Sequence, residues 1–160
     1  MTVETKLALT AEDVRSFSEA QGEPTWFAEL RERALAEVEN LDMVKPDKTN
    51  IEKWDFFNFP AHTVESDTYA SLAELPEAVK QIVDVEGQQN VYIQCNNTPA
   101  FLQVTEELAA QGVIMTDIFT ALKEHGELVQ KFFMTEAVTV DEHKLTALHA
   151  ALMNGGVFIY

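Results

Sequence analysis

The feature that most constrains the fold is a stripe of apolar residues at helical spacing near the amino terminus. Its members follow one another at intervals of three or four positions: Phe27, Leu30, Ala34, Val38 and Leu41. Such intervals place side chains on one face of an α-helix. Pro24 precedes the stripe, where the first turn of a helix tolerates proline. The pattern predicts a helix over residues 24–41 whose apolar face packs against other elements.

Other helices are predicted on both sides of the middle of the chain. Thr10 is a favoured N-cap residue, and Asp13 stands three positions later, as in a variant of the capping box. Gly22 is typical of the end of such a helix. Helical patterns also cover residues 116–133, with a break at Gly126. The sequence therefore predicts helices at both ends of the chain.

Two short segments in the middle have the composition of β-strands. Val91–Cys95 and Ala100–Val104 are rich in β-branched and aromatic residues, and the turn formers Asn96–Pro99 separate them. They predict a β-hairpin, and Val113–Met115 is a third strand candidate.

A last helix and a strand are predicted at the carboxy-terminal end. Asp141 is expected to cap the helix. The apolar stripe of this helix consists of Leu145, Leu148 and Leu152. Asn154–Gly156 is expected to end it, and the apolar Val157–Tyr160 to start a strand. That strand is expected to lie free, to fold back on the hairpin or to pair with another copy.

Charge and composition disfavour several classes of partner. The 160 residues include 11 Lys and Arg against 27 Asp and Glu, a formal net charge of -16. Such a surface repels nucleic-acid phosphates and anionic membranes. No apolar run reaches the roughly 20 residues that span a bilayer, and the start lacks a signal-peptide pattern. The one cysteine can form no internal disulfide, so a reducing, cytoplasmic location is expected.

Residues capable of catalysis or metal binding form no recognisable constellation. The sequence has no glycine-rich phosphate loop, and one cysteine cannot build a metal cage alone. A nucleophile at Cys95 would need a histidine base, and the candidates are His62, His125, His143 and His149. The strand around Cys95 favours a small buried residue instead, and the histidines are expected to pack or cap helices, with His149 half-buried. No catalytic, cofactor-binding or metal-binding residue is predicted.

An aromatic cluster follows the first helices. Its members are Trp54, Phe56, Phe57 and Phe59, and Pro60 ends it. Aromatic side chains at this density usually pack against a large apolar surface. The cluster predicts either a contribution to the core or a docking patch for another domain, subunit or ligand.

Three segments resemble the SufB/SufD family of the SUF iron–sulfur cluster assembly system. His125–Met134 and Asp141–Tyr160 carry most of the likeness, the latter through a helix, two glycines and a strand. Ile51–Trp54 resembles the acidic-x-Trp element of the family. The likeness covers most of residues 24–160, and the single cysteine favours the SufD side of the family over the SufB side.

The resemblance implies a fold and a role. Residues 1–154 are expected to form an amino-terminal α+β accessory domain, helix-rich with a β-hairpin and a small sheet. Residues 155–160 are expected to begin a right-handed parallel β-helix core that the chain does not include. The role implied is that of a scaffold without catalysis or a cofactor in this part. The implied partners are a SufB-like paralogue and a SufC-like ATPase.

The residues themselves leave two other functions open. One is a free-standing domain that binds a peptide or ligand through Trp54–Phe59. The other is a small enzyme that uses Cys95 with one of the histidines.

Overall fold

The computed structural model describes residues 9–57, 67–82 and 87–160. The helices are α1 (Ala11–Gln21), α2 (Thr25–Glu37), α3 (Glu77–Lys80), α4 (Glu106–Ala110), α5 (Ile118–Glu124), α6 (Gly126–Phe132) and α7 (Lys144–Leu152). The strands are β1 (Val91–Cys95), β2 (Thr98–Gln103), β3 (Met115–Asp117) and β4 (Val157–Ile159). The predicted α+β class is confirmed. No helix in these ranges is long and apolar enough to cross a membrane.

The chain divides into two compact units. The first unit contains the described residues up to 57 together with Leu122–Met153, and the second contains those from 67 to Ala121 together with Asn154–Tyr160. Helix α5 crosses from one unit into the other.

The first two helices begin where the sequence predicts. Thr10 forms a capping box with Asp13, and Gly22 ends α1 in the left-handed conformation at φ 64°. Helix α2 ends at Glu37, four residues before the predicted end. Residues 38–40 form turns instead, in which Asn40 donates a side-chain hydrogen bond to the Ala36 carbonyl. Val38 nevertheless stays buried, so the apolar stripe serves the core beyond the helix itself.

Helix α7 differs from its prediction in its cap and in its buried face. His143, not Asp141, is the N-cap: its Nδ1 accepts from the Thr146 N–H, and the Thr146 hydroxyl accepts from the His143 N–H. The predicted stripe of leucines is only half-buried. The buried positions are Thr146, Ala147, Ala150 and Ala151. Small side chains allow α7 to approach α2 closely, with Ala34 and Ala150 fully buried in the same cluster.

The predicted hairpin forms in the second unit, with a shorter turn. Strands β1 and β2 are antiparallel and are joined by Asn96 and Asn97, with Asn96 at φ 53°. Pro99 already lies in β2, and the register shifts beside it, opposite Gln94. Behind the hairpin lies a cluster of buried residues: Leu75, Val91 and Phe101.

A second antiparallel pair joins β3 and β4. Met115 lies opposite Ile159 and Asp117 opposite Val157. Strand β3 therefore begins two residues later than predicted. The expectations that the terminal strand lies free or pairs with the hairpin are wrong, because it pairs with β3. Pairing with another copy stays a prediction. Ile114 and Tyr160 exchange backbone hydrogen bonds of 3.0 and 2.9 Å and extend the pairing by one residue.

Candidate functional site

A fully buried ion pair is the most distinctive polar group of the first unit. The side chains of Arg31 and Glu23 are 0% and 1% exposed. Arg31 Nη2 lies 2.6 Å from Glu23 Oε1, and Arg31 Nε lies 2.8 Å from Glu23 Oε2. The guanidinium therefore holds the carboxylate through two parallel hydrogen bonds, the strong geometry for such a pair.

The neighbours of this pair bring three helices together. The Ser18 hydroxyl on α1 donates to Glu23 Oε2 at 2.6 Å, and Arg31 Nη1 on α2 donates to the Ala151 carbonyl on α7 at 3.0 Å. Phe17 and Phe27 lie on the guanidinium, with ring centroids 5.1 and 4.8 Å from its central carbon. These contacts satisfy both charges without solvent, so the cluster orients the helices and is closed to a substrate.

Sequence reasoning missed this pair. Both residue types are usually exposed, and the two positions are eight apart. One signal was present: Arg31 lies four residues after Phe27 and three before Ala34, so it falls inside the apolar stripe. A charged residue in the centre of a buried face requires a partner.

Cys95 and the described histidines belong to different units. Cys95 lies in the second unit, and His125, His143 and His149 lie in the first. The expected burial of Cys95 is wrong: it is exposed at the end of β1, with Asn96 Nδ2 3.9 Å from its sulfur. The strand pattern predicted burial wrongly at this position because, at the tip of a hairpin, alternate side chains no longer face the core.

The histidines have other positions. His143 caps α7 as described, and His125 occupies the N-cap position of α6 without a side-chain bond. His149 is exposed, so its predicted half-burial is wrong. His62 lies outside the described residues. In the described ranges no group of three or more His, Cys, Asp or Glu side chains could hold a metal ion.

The aromatic cluster is exposed at its first member. The Trp54 side chain is 58% exposed and stacks at a tilt on Phe56, with ring centroids 5.8 Å apart. Phe56 and Phe57 are half-buried. A core role for Trp54 is therefore wrong. Phe59 and Pro60 lie outside the described residues.

The two glycines before β4 form a close junction with the hairpin. A Cβ atom on Gly155 would lie 2.8 Å from the Asn97 carbonyl oxygen and 2.9 Å from its Cα. The Gly156 carbonyl accepts hydrogen bonds from Ile118 N–H at 3.0 Å and from the Tyr92 hydroxyl at 3.3 Å. Since α7 already ends at Leu152, the function of Gly155 is close approach and not the helix stop that was predicted.

Burial raises the pKa of Tyr92, and the nearby Asp117 carboxylate raises it further. Both effects favour the neutral phenol, which can donate to the Gly156 carbonyl. The hairpin, β3 and β4 are thus tied together at one point.

The outer side of β4 is an apolar strand edge. Gly156 and Tyr160 bond toward the β3 side, so the intervening Val157 and Ile159 direct their backbone groups away from it. Their side chains are 44% and 64% exposed. Within the described part of the chain, β4 pairs with β3 alone. Such an edge can accept a further strand.

Comparison with known proteins finds relatives along the whole chain. It is 51% identical to the iron–sulfur cluster assembly protein SufD of Bacillus subtilis over 161 aligned residues. The chain is 31% identical to an iron–sulfur cluster assembly SufBD family protein of Mycobacterium bovis, and the alignment covers 92% of the chain. It is 27% identical to SufB of Bacillus subtilis over 95% of its length.

These relatives are much longer than the matched region. The chain spans 37% of the SufD relative, 34% of the SufB relative and 18% of the mycobacterial one. No family model matches the chain. No solved structure matches it significantly either.

Proposed function

The chain belongs to the SufBD family of iron–sulfur cluster assembly proteins, and we propose that it is the amino-terminal domain of a SufD-like protein with a structural role in that assembly. The observation that carries the proposal is the identity along the full chain. It is 51% with the SufD of Bacillus subtilis but 27% with the SufB of the same organism. The expected SufD side of the family is thereby confirmed.

In this proposal the domain acts as a scaffold and has no catalysis or cofactor of its own. Its most organised polar cluster, Glu23 with Arg31, is sealed from solvent and bonded on all sides, which suits a rigid support. Iron and sulfide are substrates of the whole assembly, handled with a SufB-like paralogue and a SufC-like ATPase in the cytoplasm. The net charge of -16 supports a protein partner over nucleic acid or membrane.

The proposal also assigns a role to the apolar edge of β4. Residues 155–160 would lead into a right-handed parallel β-helix, and that core would cover the edge. The exposure of Val157 and Ile159, with their outward backbone groups, supports this arrangement because uncovered apolar edges promote aggregation.

The test is a chimera in which this chain replaces the matched region of Bacillus subtilis SufD. We expect the purified chimera to bind SufB of the same organism as the parent protein does. A soluble, folded chimera that does not retain SufB would contradict the proposed partner.

The edge is tested in the same chimera with Ile159→Lys. If the rest of the protein covers this side chain, a buried ammonium should destabilise the chimera and lower its soluble yield. Ile82→Lys is the matched control, because Ile82 is 85% exposed and lies outside the edge. Equal yields for the two variants would count against a covered edge.

A second function, binding of an apolar peptide or ligand, is favoured by the exposure of Trp54. The indole stacks on Phe56 yet stays mostly in solvent. If it docks such a peptide, the tryptophan fluorescence of the chain should shift to shorter wavelength when an apolar peptide is added, and Trp54→Phe should remove that shift. An unchanged spectrum would leave this second function without support.

A further inference from the structure

A cleft in the first unit has the size of a small-molecule site. Its volume is about 420 Å³, within the range of ligand pockets. One wall is the carboxy-terminal part of α2, and the other is the segment from Met134 to Asp141.

The charged groups of the cleft are not neutralised by one another. Arg33 lies one turn from Glu29 and from Glu37 on α2, a spacing that permits ion pairs. Within the described residues, however, Arg33, Glu37 and Asp141 form no side-chain hydrogen bond or ion pair. A guanidinium and two carboxylates therefore remain available to a ligand.

The wall opposite α2 is fixed by contacts of its own. Val140 is buried against Ala34, and its carbonyl accepts a hydrogen bond of 3.0 Å from the Thr146 hydroxyl. Met134 packs on the same cluster and adopts a left-handed backbone, with φ 49°. A wall held in this way need not be ordered on binding, which favours affinity.

The rest of the lining is largely apolar. Three of the lining residues are Leu41, Met134 and Val140. The cleft therefore offers a cation at Arg33, anions at Asp141 and Glu37, and apolar surface to one ligand.

We propose that this cleft binds a zwitterionic amino acid with an apolar side chain. The ligand carboxylate pairs with Arg33, the ammonium pairs with Asp141 and Glu37, and the side chain covers Leu41 and Val140. Since carboxylates outnumber the guanidinium, a ligand with only the ammonium binds better than one with only the carboxylate. The site is independent of the role in cluster assembly.

The test uses L-leucine and two matched probes in calorimetry and in NMR titration of the 160-residue chain. 3-Methylbutylamine lacks the carboxylate, and 4-methylpentanoate lacks the ammonium. We expect L-leucine to bind with a dissociation constant on the order of 1 mM. The amine should bind more weakly, and the acid weakest of all.

Variants locate the binding. Arg33→Gln and Asp141→Asn should each weaken L-leucine binding about tenfold, since each removes one charged contact. Lys48→Gln removes an exposed charge outside the cleft and should leave the affinity unchanged. The proposal would be overturned if L-leucine showed no saturable binding up to ~20 mM, which is 20-fold the expected dissociation constant. It would also be overturned if neither cleft variant weakened the binding.

Discussion

At the scale of single residues, Arg31 is the side chain on which the polar contacts of the first unit converge. It bonds Glu23 and the Ala151 carbonyl and contacts the rings of two phenylalanines. A buried pair gains little over an apolar substitute, but a single buried charge is costly. The stability of the three helices should therefore depend on keeping both partners or removing both.

Arg31→Met should destabilise the fold by about 3–5 kcal/mol, because it leaves the Glu23 carboxylate buried without a cation. Urea unfolding followed by the helical circular dichroism signal measures the loss. The double variant Glu23→Gln with Arg31→Met should recover part of it, since no lone charge remains.

Arg15→Met is the matched control for that series. Arg15 pairs with Glu32 at 2.8 Å, but its side chain is 59% exposed, so its removal should change stability little. Equal losses in the free energy of unfolding for Arg15→Met and Arg31→Met would show that burial does not determine how much an ion pair contributes to stability.

The thiol of Cys95 should react with iodoacetamide in the folded chain, because it is exposed at the hairpin tip. Mass spectrometry of the native and urea-unfolded chain gives the two rates. We expect rates within about an order of magnitude of each other. If alkylation of the folded chain were slower than that of the unfolded chain by several orders of magnitude, the thiol would be buried, as the sequence predicts.

At the scale of elements, the junction of the Gly155–Gly156 pair with the hairpin decides where β4 lies. The Asn97 backbone leaves no room for a side chain on Gly155. The Tyr92 hydroxyl and the Ile118 N–H both bond the Gly156 carbonyl. Strand β4 is thereby directed onto β3.

Gly155→Ala should displace β4 and destabilise the second unit, because its Cβ would meet the Asn97 backbone at 2.8 Å. Hydrogen exchange at Ile114 and Ile118, whose N–H groups bond to the β4 segment, reports the loss. Gly126→Ala is the control, since nothing lies within 4 Å of a Cβ at that position. Unchanged protection in Gly155→Ala would mean that the junction does not hold the strand.

Short-range sequence patterns predicted the positions of helices and strands better than they predicted which of these elements pair with one another. The capping box at Thr10 and the hairpin from Val91 were predictable because each depends on residues close in sequence. The pairing of β4 with β3 joins segments about 40 residues apart, and no short-range pattern encodes it. The imidazole cap at His143 was missed because Asp141 is the commoner capping residue type.

At the scale of the whole molecule, the family could be identified from the sequence but a site could not. The segments that carry most of the resemblance to the family form α6, α7 and β4. The cleft at Arg33 joins α2 to a segment about 100 residues later, so its residues came together only in the structure. The same holds for Arg31 and the Ala151 carbonyl.

The central claim is that the chain serves iron–sulfur cluster assembly as the amino-terminal domain of a SufD-like protein. The most direct measurement is rescue by the chimera with Bacillus subtilis SufD in cells depleted of their own SufD, read as the activity of an iron–sulfur enzyme. We predict activity close to that restored by intact SufD, and no rescue by SufD that lacks the matched region. A chimera that accumulates in folded form but restores no more activity than the deletion would contradict the claim.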